Sequence, residues 1–190
     1  MRLSVPSKAT LAALGATVLG VTTLVACSDY VDVRWNGLVG ISHDGHGHVT
    51  VHVNTCENST STIFVEAIPE KRRDGEKNQV IGRFTSEKPM SGYFEMKVDD
   101  PAPWQVSTPL SLPTDPAQTF IFHAEVGDKG GPQWLRPINY FDAVASNGAE
   151  LFKWAPGKIV VDYDEAHTNG SMTVDEFKAA CGKGVPSNVL

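Results

Sequence analysis

The sequence has no excess of basic residues and none of the short motifs that mark several common enzyme classes. Its 190 residues include 16 Lys and Arg against 22 Asp and Glu, which gives a formal net charge of -6. Nucleic acid is therefore not expected as a partner, because phosphate binding needs a basic face. The chain contains no Gly-x-Ser-x-Gly or HExxH motif, no P-loop and no GxGxxG pattern. We therefore expect a protein that is not an enzyme.

Long hydrophobic runs are also scarce, and the one that exists lies at the N-terminus. Arg2 and Lys8 are followed by eighteen uncharged residues, 9–26, and no acidic residue occurs before Asp29. A positive start, an apolar stretch and a small-residue end are typical of a secretory signal peptide. We therefore expect residues 1–26 to be a signal peptide.

The end of that run is specific. The tetrapeptide Leu24-Val25-Ala26-Cys27 resembles the lipobox of bacterial lipoproteins, in which the cysteine is lipidated and becomes the new N-terminus. The chain is similar to the small secreted lipoproteins of actinobacterial type, a resemblance that implies location and no particular activity. It implies a lipid on Cys27 that attaches the protein to the extracytoplasmic face of the cell membrane. Two alternatives are an ordinary signal peptide cleaved nearby and an uncleaved helical anchor.

Cysteine is rare, and its count fits an exported protein. If Cys27 carries lipid, only Cys56 and Cys181 remain. Two cysteines left over in an exported domain predict one disulfide bond. Such a bond would connect an early strand to the C-terminal helix. The alternatives are two free thiols or a two-cysteine metal site.

The mature chain has the pattern of short strands separated by turn residues. Alternation of apolar and polar residues, or short apolar runs between turn signals, predicts strands in eight segments. These segments are 30–39, 49–53, 62–68, 79–84, 93–98, 119–126, 138–145 and 158–163, with 151–154 as a weaker candidate. Five prolines in residues 101–116 indicate an edge strand or an extended loop.

One helix is predicted near the C-terminus. Thr173 and Glu176 have the spacing of a capping box, which marks a helix N-terminus. The fold class is therefore mainly β: an antiparallel β-sandwich, immunoglobulin-like in one version, with one short C-terminal helix and one disulfide. The expected organisation is a signal peptide (1–26), a lipidated cysteine with its tether (27–37) and a single sandwich domain (38–190).

Four of the six histidines lie within ten residues. His46 and His48 are two apart, so on a strand they would share a face about 7 Å apart and could bind one Zn or Cu ion. A third ligand would have to come from elsewhere, such as His43 or Asp44. His52 lies too far along the strand to join them. The alternative is that these histidines form the solvent-exposed face of a half-buried strand.

Residues 165–176 resemble in part the calcium-binding loop of an EF-hand. Gly170 would be the turn glycine and Glu176 the final ligand. Glu165 and His167 stand where that loop needs strong carboxylate ligands, and a strand precedes the loop. The alternative is a capped loop that leads into the helix, which explains Glu176 without calcium.

Together these features favour a binding or interaction module anchored to the cell envelope. Its partner would be an unidentified envelope protein or glycan, held by loops or by an exposed aromatic surface. The four tryptophans are candidates for such a surface, or else they are core residues: Trp35, Trp104, Trp134 and Trp154. The alternatives are a metal-handling lipoprotein that uses His46 and His48, and a small hydrolase.

Overall fold

The computed structural model describes residues 34–71, 75–127, 139–162 and 169–181. Within these ranges the chain forms nine strands and two short helices. The strands are β1 (Arg34–His43), β2 (Val49–Ala67), β3 (Gln79–Lys97), β4 (Gln105–Thr108), β5 (Phe120–Glu125), β6 (Asn139–Asp142), β7 (Val144–Ser146), β8 (Ile159–Asp162) and β9 (Asn169–Met172). The helices are α1 (Gly148–Leu151) and α2 (Val174–Ala179). The predicted signal peptide and Cys27 lie outside the described residues.

The strands join into one hydrogen-bonded sheet whose main order is β4-β3-β2-β1-β8-β9. All pairs are antiparallel except β1 with β6. β2 is the organising strand: β3 lies along one edge, while β1 and then β5 share the other. The predicted mainly antiparallel β architecture is confirmed.

The strand boundaries differ from those expected. The predicted strands 49–53 and 62–68 are one strand, β2, and 79–84 and 93–98 are likewise one strand, β3. A break in register between Asn54 and Ser59 bends the pair without separating it. Such bulges bend a strand and increase its twist without ending it. β1 begins at Arg34, before the domain boundary predicted at residue 38.

The prediction of a strand over residues 151–154 is wrong. Leu151 is the last residue of α1, which begins after Asn147. The Asn147 side chain accepts a hydrogen bond from the Glu150 backbone N–H, as an N-cap does. Asn-Gly pairs are also frequent in turns between strands, but here the pair starts a helix.

The C-terminal helix is confirmed together with its cap. The Thr173 hydroxyl accepts from the Glu176 backbone N–H, and the Glu176 carboxylate accepts from the Thr173 N–H. Two acceptors thus satisfy two amides that a helix N-terminus leaves without partners. The predicted disulfide is also confirmed: Cys56 and Cys181 are bonded, with 5.5 Å between their Cα atoms. The bond joins the end of α2 to the bulge in β2.

The core has two parts, because β1 and β8 bury side chains on both faces. Val39 and Val160 belong to the larger cluster, which packs against β2, β3 and β5. Their neighbours Leu38 and Val161 belong to a smaller cluster that includes Phe177 of α2. Consequently α2 is a lid over the outer face of β1, β2 and β8, and it buries residues that the sequence pattern assigned to solvent.

Candidate functional site

The predicted metal-binding histidines lie at the turn between β1 and β2, and His43 is already fully engaged there. His43 is buried, its Nε2 donates to the Trp154 carbonyl over 2.9 Å, and its Nδ1 accepts from the Gly45 N–H over 3.0 Å. These partners fix the neutral tautomer with the proton on Nε2, since a carbonyl can only accept. His43 therefore stabilises the turn and has no ring nitrogen left for a metal.

Asp44 is used in the same turn. Its Oδ1 accepts from the backbone N–H groups of His46 and His48, at 2.7 and 3.2 Å. The hydrogen bond from His46 is the main reason that the pKa of Asp44 is lowered. A carboxylate that closes its own turn in this way explains why an aspartate precedes the Gly-His-Gly segment.

His46 and His48 are exposed, and His48 has a partner from a different segment. Its Nδ1 lies 2.5 Å from Oδ2 of Asp99, and this hydrogen bond raises the pKa of His48. Among the described residues, no three His, Cys, Asp or Glu side chains are grouped so that they could hold a metal ion. The turn thus brings together the two histidines of the metal hypothesis without the third ligand that it needs.

His52 corrects the expectation of a solvent-exposed face. It is only 4% exposed, because Phe177 of α2 packs edge-on against its ring. Gly40 lies opposite His52 on β1 and leaves the space that Phe177 occupies. Alternation correctly placed His52 on the face opposite the valines of β2, but the helix that covers this face comes from far along the chain.

His52 is the centre of a polar chain formed by Ser42, His52, Tyr93 and Glu95, which we call the buried polar chain because Ser42 and His52 are buried, although Glu95 is exposed. The Tyr93 hydroxyl donates to the Glu95 carboxylate, so it accepts from His52 Nδ1, 3.0 Å away. His52 Nε2 is then unprotonated and accepts from the Ser42 hydroxyl at 2.8 Å. Both ring nitrogens of His52 and the hydroxyls of Ser42 and Tyr93 therefore have hydrogen-bond partners. Burial lowers the pKa of His52 to about 4.

A hydroxyl bonded to an imidazole is also the arrangement of a serine nucleophile and its base. Ser42, however, is only 6% exposed and lies on the face that α2 covers. Sequence analysis missed the pair, because Ser42 and His52 are ten residues apart on two strands and become neighbours only through the register of the β1–β2 hairpin. As the structure stands, the pair can stabilise the seat of α2 but is not presented to a substrate.

A second group of functional side chains lies across β3, β2 and β5. Arg83, Phe64 and His123 occupy directly paired positions on these three strands. The His123 ring stacks on Phe64 with 4.9 Å between ring centres and 12° between planes. The Arg83 guanidinium lies 5.7 Å from the Phe64 ring centre, within the range of a cation–π contact. We call these three residues the stacked row.

The stacked row borders a concave pocket of about 320 Å³. Small-molecule sites begin at about this size. The walls combine aromatic and aliphatic groups with two opposite charges. They include Phe64, Arg83, His123, Glu125, Val126 and Phe141.

Two residues outside the pocket walls, Gly37 and Glu66, contact the wall residues Phe141 and His123. Phe141 packs directly on Gly37, where a Cβ atom would lie 1.9 Å from the ring. Glu66 lies 3.5 Å from His123 Nε2 and accepts from the Asn78 side-chain amide at 3.1 Å. Burial lowers the pKa of His123, and the nearby Glu66 carboxylate opposes this only in part. His123 is therefore a neutral wall of the pocket at pH 7.

The pocket contains two charged side chains, Arg83 and Glu125. Within the described part of the chain, neither Arg83 nor Glu125 has an ion-pair partner. A second concavity, of about 290 Å³, lies beside Pro69, Glu70 and Asp115 and has no cationic or aromatic side chain in its walls. Of these two concavities, the pocket at the stacked row is the one with cationic and aromatic side chains in its walls.

The two tryptophans whose side chains are described do not form the platform that the sequence suggested. Trp104 is only 5% exposed, and it packs beside Phe94 in the main core. Trp154 is half-buried near His43. The side chain of Trp35 and the whole of Trp134 lie outside the described part. The aromatic side chains that do line a pocket are Phe64, His123 and Phe141.

Part of the segment that resembles a calcium-binding loop forms a strand. Asn169 to Met172 form β9, which pairs with β8, and the Asn169 side chain donates to the Ser146 hydroxyl. Met172 is fully buried, and Glu176 serves the capping box. The residues at positions 165–168 lie outside the described part. The described half of the segment therefore fits the alternative of a capped loop that leads into the helix.

Neither helix among the described residues is long and apolar enough to cross a membrane. Comparison with known proteins gives no relative: no family model, no curated protein and no solved structure matches the chain.

Proposed function

We propose that this protein is a lipid-anchored binding protein of the cell envelope, non-catalytic, that holds a small ligand in the pocket beside the stacked row. The location is supported by the signal-like residues 1–26 and the lipobox ending in Cys27. The binding role is supported by one observation above all: a guanidinium that has no carboxylate partner in the described ranges lines an aromatic-walled pocket.

The physical argument rests on what such a guanidinium lacks. Arg83 is half-buried, so part of its hydration has been removed, and beyond its cation–π contact with Phe64 its N–H donors have no hydrogen-bond partner among the described residues. A guanidinium pairs best with a planar anion that accepts two parallel hydrogen bonds. The stack on Phe64 also fixes the side chain in advance, which reduces the entropy cost of binding.

The alternatives have less support from the described residues. Metal handling lacks a third ligand beside His46 and His48. Hydrolysis would need a reachable Ser42, which lies beneath α2. A partner protein or an envelope glycan is still compatible with the pocket, provided that a small charged group of that partner enters it.

The binding role is tested by screening the full chain in detergent against a library of neutral, anionic, cationic and zwitterionic fragments, with saturation-transfer NMR as the readout. Val126→Trp places a large ring at the pocket wall. Because Val126 also packs against the main core, circular dichroism checks that the variant folds. Val106→Trp is the matched control, because Val106 is 46% exposed on the edge strand β4 and outside the pocket. We expect a set of fragments whose signals disappear in V126W and persist in V106W. If no fragment distinguishes the two variants, the pocket does not bind small ligands.

The anchor is tested separately with Cys27→Ser. Detergent phase partitioning of cells that express the two proteins should place the native chain in the detergent phase, labelled by radioactive palmitate. C27S should lose the label, because serine cannot form the thioether that carries the lipid. A native chain that stays unlabelled in the aqueous phase would contradict lipid anchoring and would leave the pocket untouched.

A further inference from the structure

The pocket contains one positive and one negative side chain that do not neutralise each other. Arg83 on β3 and Glu125 on β5 both line it. Neither forms an ion pair with any described residue, although opposite charges in one concavity would attract. The reason lies in the sheet, which holds the two side chains apart.

The register sets their separation. Arg83 pairs with Phe64 on β2, while Glu125 pairs with Thr62, two residues away on the same strand. Strands lie about 4.8 Å apart and residues rise about 3.4 Å each, so the two Cα atoms are about 12 Å apart. Both side chains project from the same face as Phe64, since positions two apart on a strand share a face. The charges flank the pocket from opposite sides.

Apolar surface lies between the charges. Phe64 stands between β3 and β5, and Val126 and Phe141 form further walls. A ligand that fits this arrangement has an anionic end, a cationic end and an apolar body between or beside them. A ligand with only a negative charge would pair with Arg83, but its charge would repel Glu125. A ligand with only a positive charge would pair with Glu125 and leave Arg83 without a partner.

We propose that the pocket binds a small zwitterion: a short peptide with an apolar side chain, whose carboxylate pairs with Arg83 and whose ammonium pairs with Glu125. This assignment rests on the proposed binding role of the same pocket. The carboxylate is expected to take two parallel hydrogen bonds from the guanidinium. The ammonium group is expected to meet the Glu125 carboxylate, and the apolar side chain to contact Phe141 and Val126.

The test uses four probes that differ only in charge. The dipeptide phenylalanyl-phenylalanine carries both charges, its N-acetyl derivative only the negative one, its C-terminal amide only the positive one, and its N-acetyl amide none. Isothermal titration of the full chain in detergent measures each affinity. We expect the zwitterion to bind at least tenfold more tightly than either singly charged probe, because each singly charged probe loses one of the two charge-assisted contacts.

Two variants connect each charge of the probe to its residue. Arg83→Gln should weaken the zwitterion and the N-acetyl probe about tenfold or more, and leave the amide probe unchanged. Glu125→Gln should weaken the zwitterion and the amide probe, and leave the N-acetyl probe unchanged. Lys88→Gln and Glu57→Gln are the matched controls, because both residues are exposed and lie outside the pocket walls.

The outcomes separate this assignment from the proposed binding role. If the N-acetyl probe binds as tightly as the zwitterion and E125Q has no effect, the pocket is an anion site and the zwitterion assignment is wrong. If no dipeptide probe binds while other fragments still lose their NMR signals in V126W, the ligand class is wrong and the binding role survives. If no fragment loses its NMR signal in V126W, both the zwitterion assignment and the binding role are wrong.

Discussion

The two halves of β2 handle polar side chains in opposite ways. In the first half, His52 has a partner on each ring nitrogen, and the buried polar chain ends at an exposed carboxylate. In the second half, Phe64 stands beside Arg83, whose guanidinium has no carboxylate partner among the described residues. The first group is closed by α2, and the second borders an open pocket.

The difference separates structural from functional polarity. A buried polar group costs free energy unless it is hydrogen-bonded, so a completed chain beneath a helix is explained by the fold alone. A partly buried cation without a partner is not explained in that way. The comparison therefore gives a rule for this molecule: changes in the buried polar chain should alter stability, and changes at the pocket should alter binding.

The largest expected effect comes from releasing α2. Replacing both cysteines, Cys56→Ser with Cys181→Ser, opens a loop that spans 125 positions of sequence. The chain-entropy model gives about 5 kcal/mol for such a loop, and measured losses are typically about 2–5 kcal/mol. Urea unfolding of the double variant should show a loss in this range. A midpoint equal to that of the native chain would mean that α2 is held by packing alone.

The next effect is a dependence of stability on pH through His52. Its pKa is about 4 in the folded protein against 6.5 in the unfolded chain, because burial disfavours the charged form. As pH falls from 6.5 to 4, the unfolded chain takes up a proton that the folded protein refuses, so the free energy of unfolding decreases. The shift corresponds to a loss of about 3 kcal/mol.

His52→Gln tests this assignment. Glutamine can still donate to Tyr93 and accept from Ser42, but it does not titrate. Urea unfolding between pH 7.5 and 4 should give a much flatter profile for this variant than for the native chain. His123→Gln is the control, because the pKa of His123 is lowered for the same reason and only part of the slope should disappear. An unchanged slope in H52Q would assign the acid sensitivity to other groups.

A smaller effect is expected at Gly40, which makes room for α2. An added Cβ would lie 2.4 Å from the Ile159 side chain and 3.1 Å from the Phe177 ring. Gly40→Ala should therefore destabilise the protein by about 1–3 kcal/mol, the usual cost of overpacking. Gly148→Ala is the control, since its Cβ would find only ordinary contacts at 3.6 Å and beyond. Equal unfolding midpoints for the two variants would contradict a tight seat for α2.

Much of the fold followed from local patterns. Alternation in Val49 to Val53 and the capping box at Thr173 depend on neighbouring residues, and both were predicted correctly. The disulfide followed from the number of cysteines and the expected compartment. The helix at 148–151 was missed because Asn-Gly serves equally well in a turn and at a helix start.

The candidate site could not be predicted, because it depends on register. Arg83, Phe64 and His123 are each one polar or aromatic residue on an outward position of a separate strand. Their segments were predicted as strands, but nothing in the sequence fixed which positions pair. The same limit hid the pairing of Ser42 with His52, and it favoured the histidine cluster, whose members are visible together in the sequence. The histidines of the turn are close in sequence, whereas the residues of the stacked row come together only when the strands of the sheet pair.

The smallest effect on stability should accompany the largest effect on binding. A cation–π contact that is still partly in water is worth about 0.5–1 kcal/mol, so Arg83→Gln should lower the free energy of unfolding by less than about 1 kcal/mol. The same substitution should weaken the zwitterionic dipeptide about tenfold or more. His52→Gln should show the reverse: a changed pH profile of unfolding and unchanged dipeptide affinity. If R83Q flattened the pH profile of unfolding as H52Q does, or if H52Q lost binding, the two halves of β2 would be one coupled site, and the division between structural and functional polarity would fail.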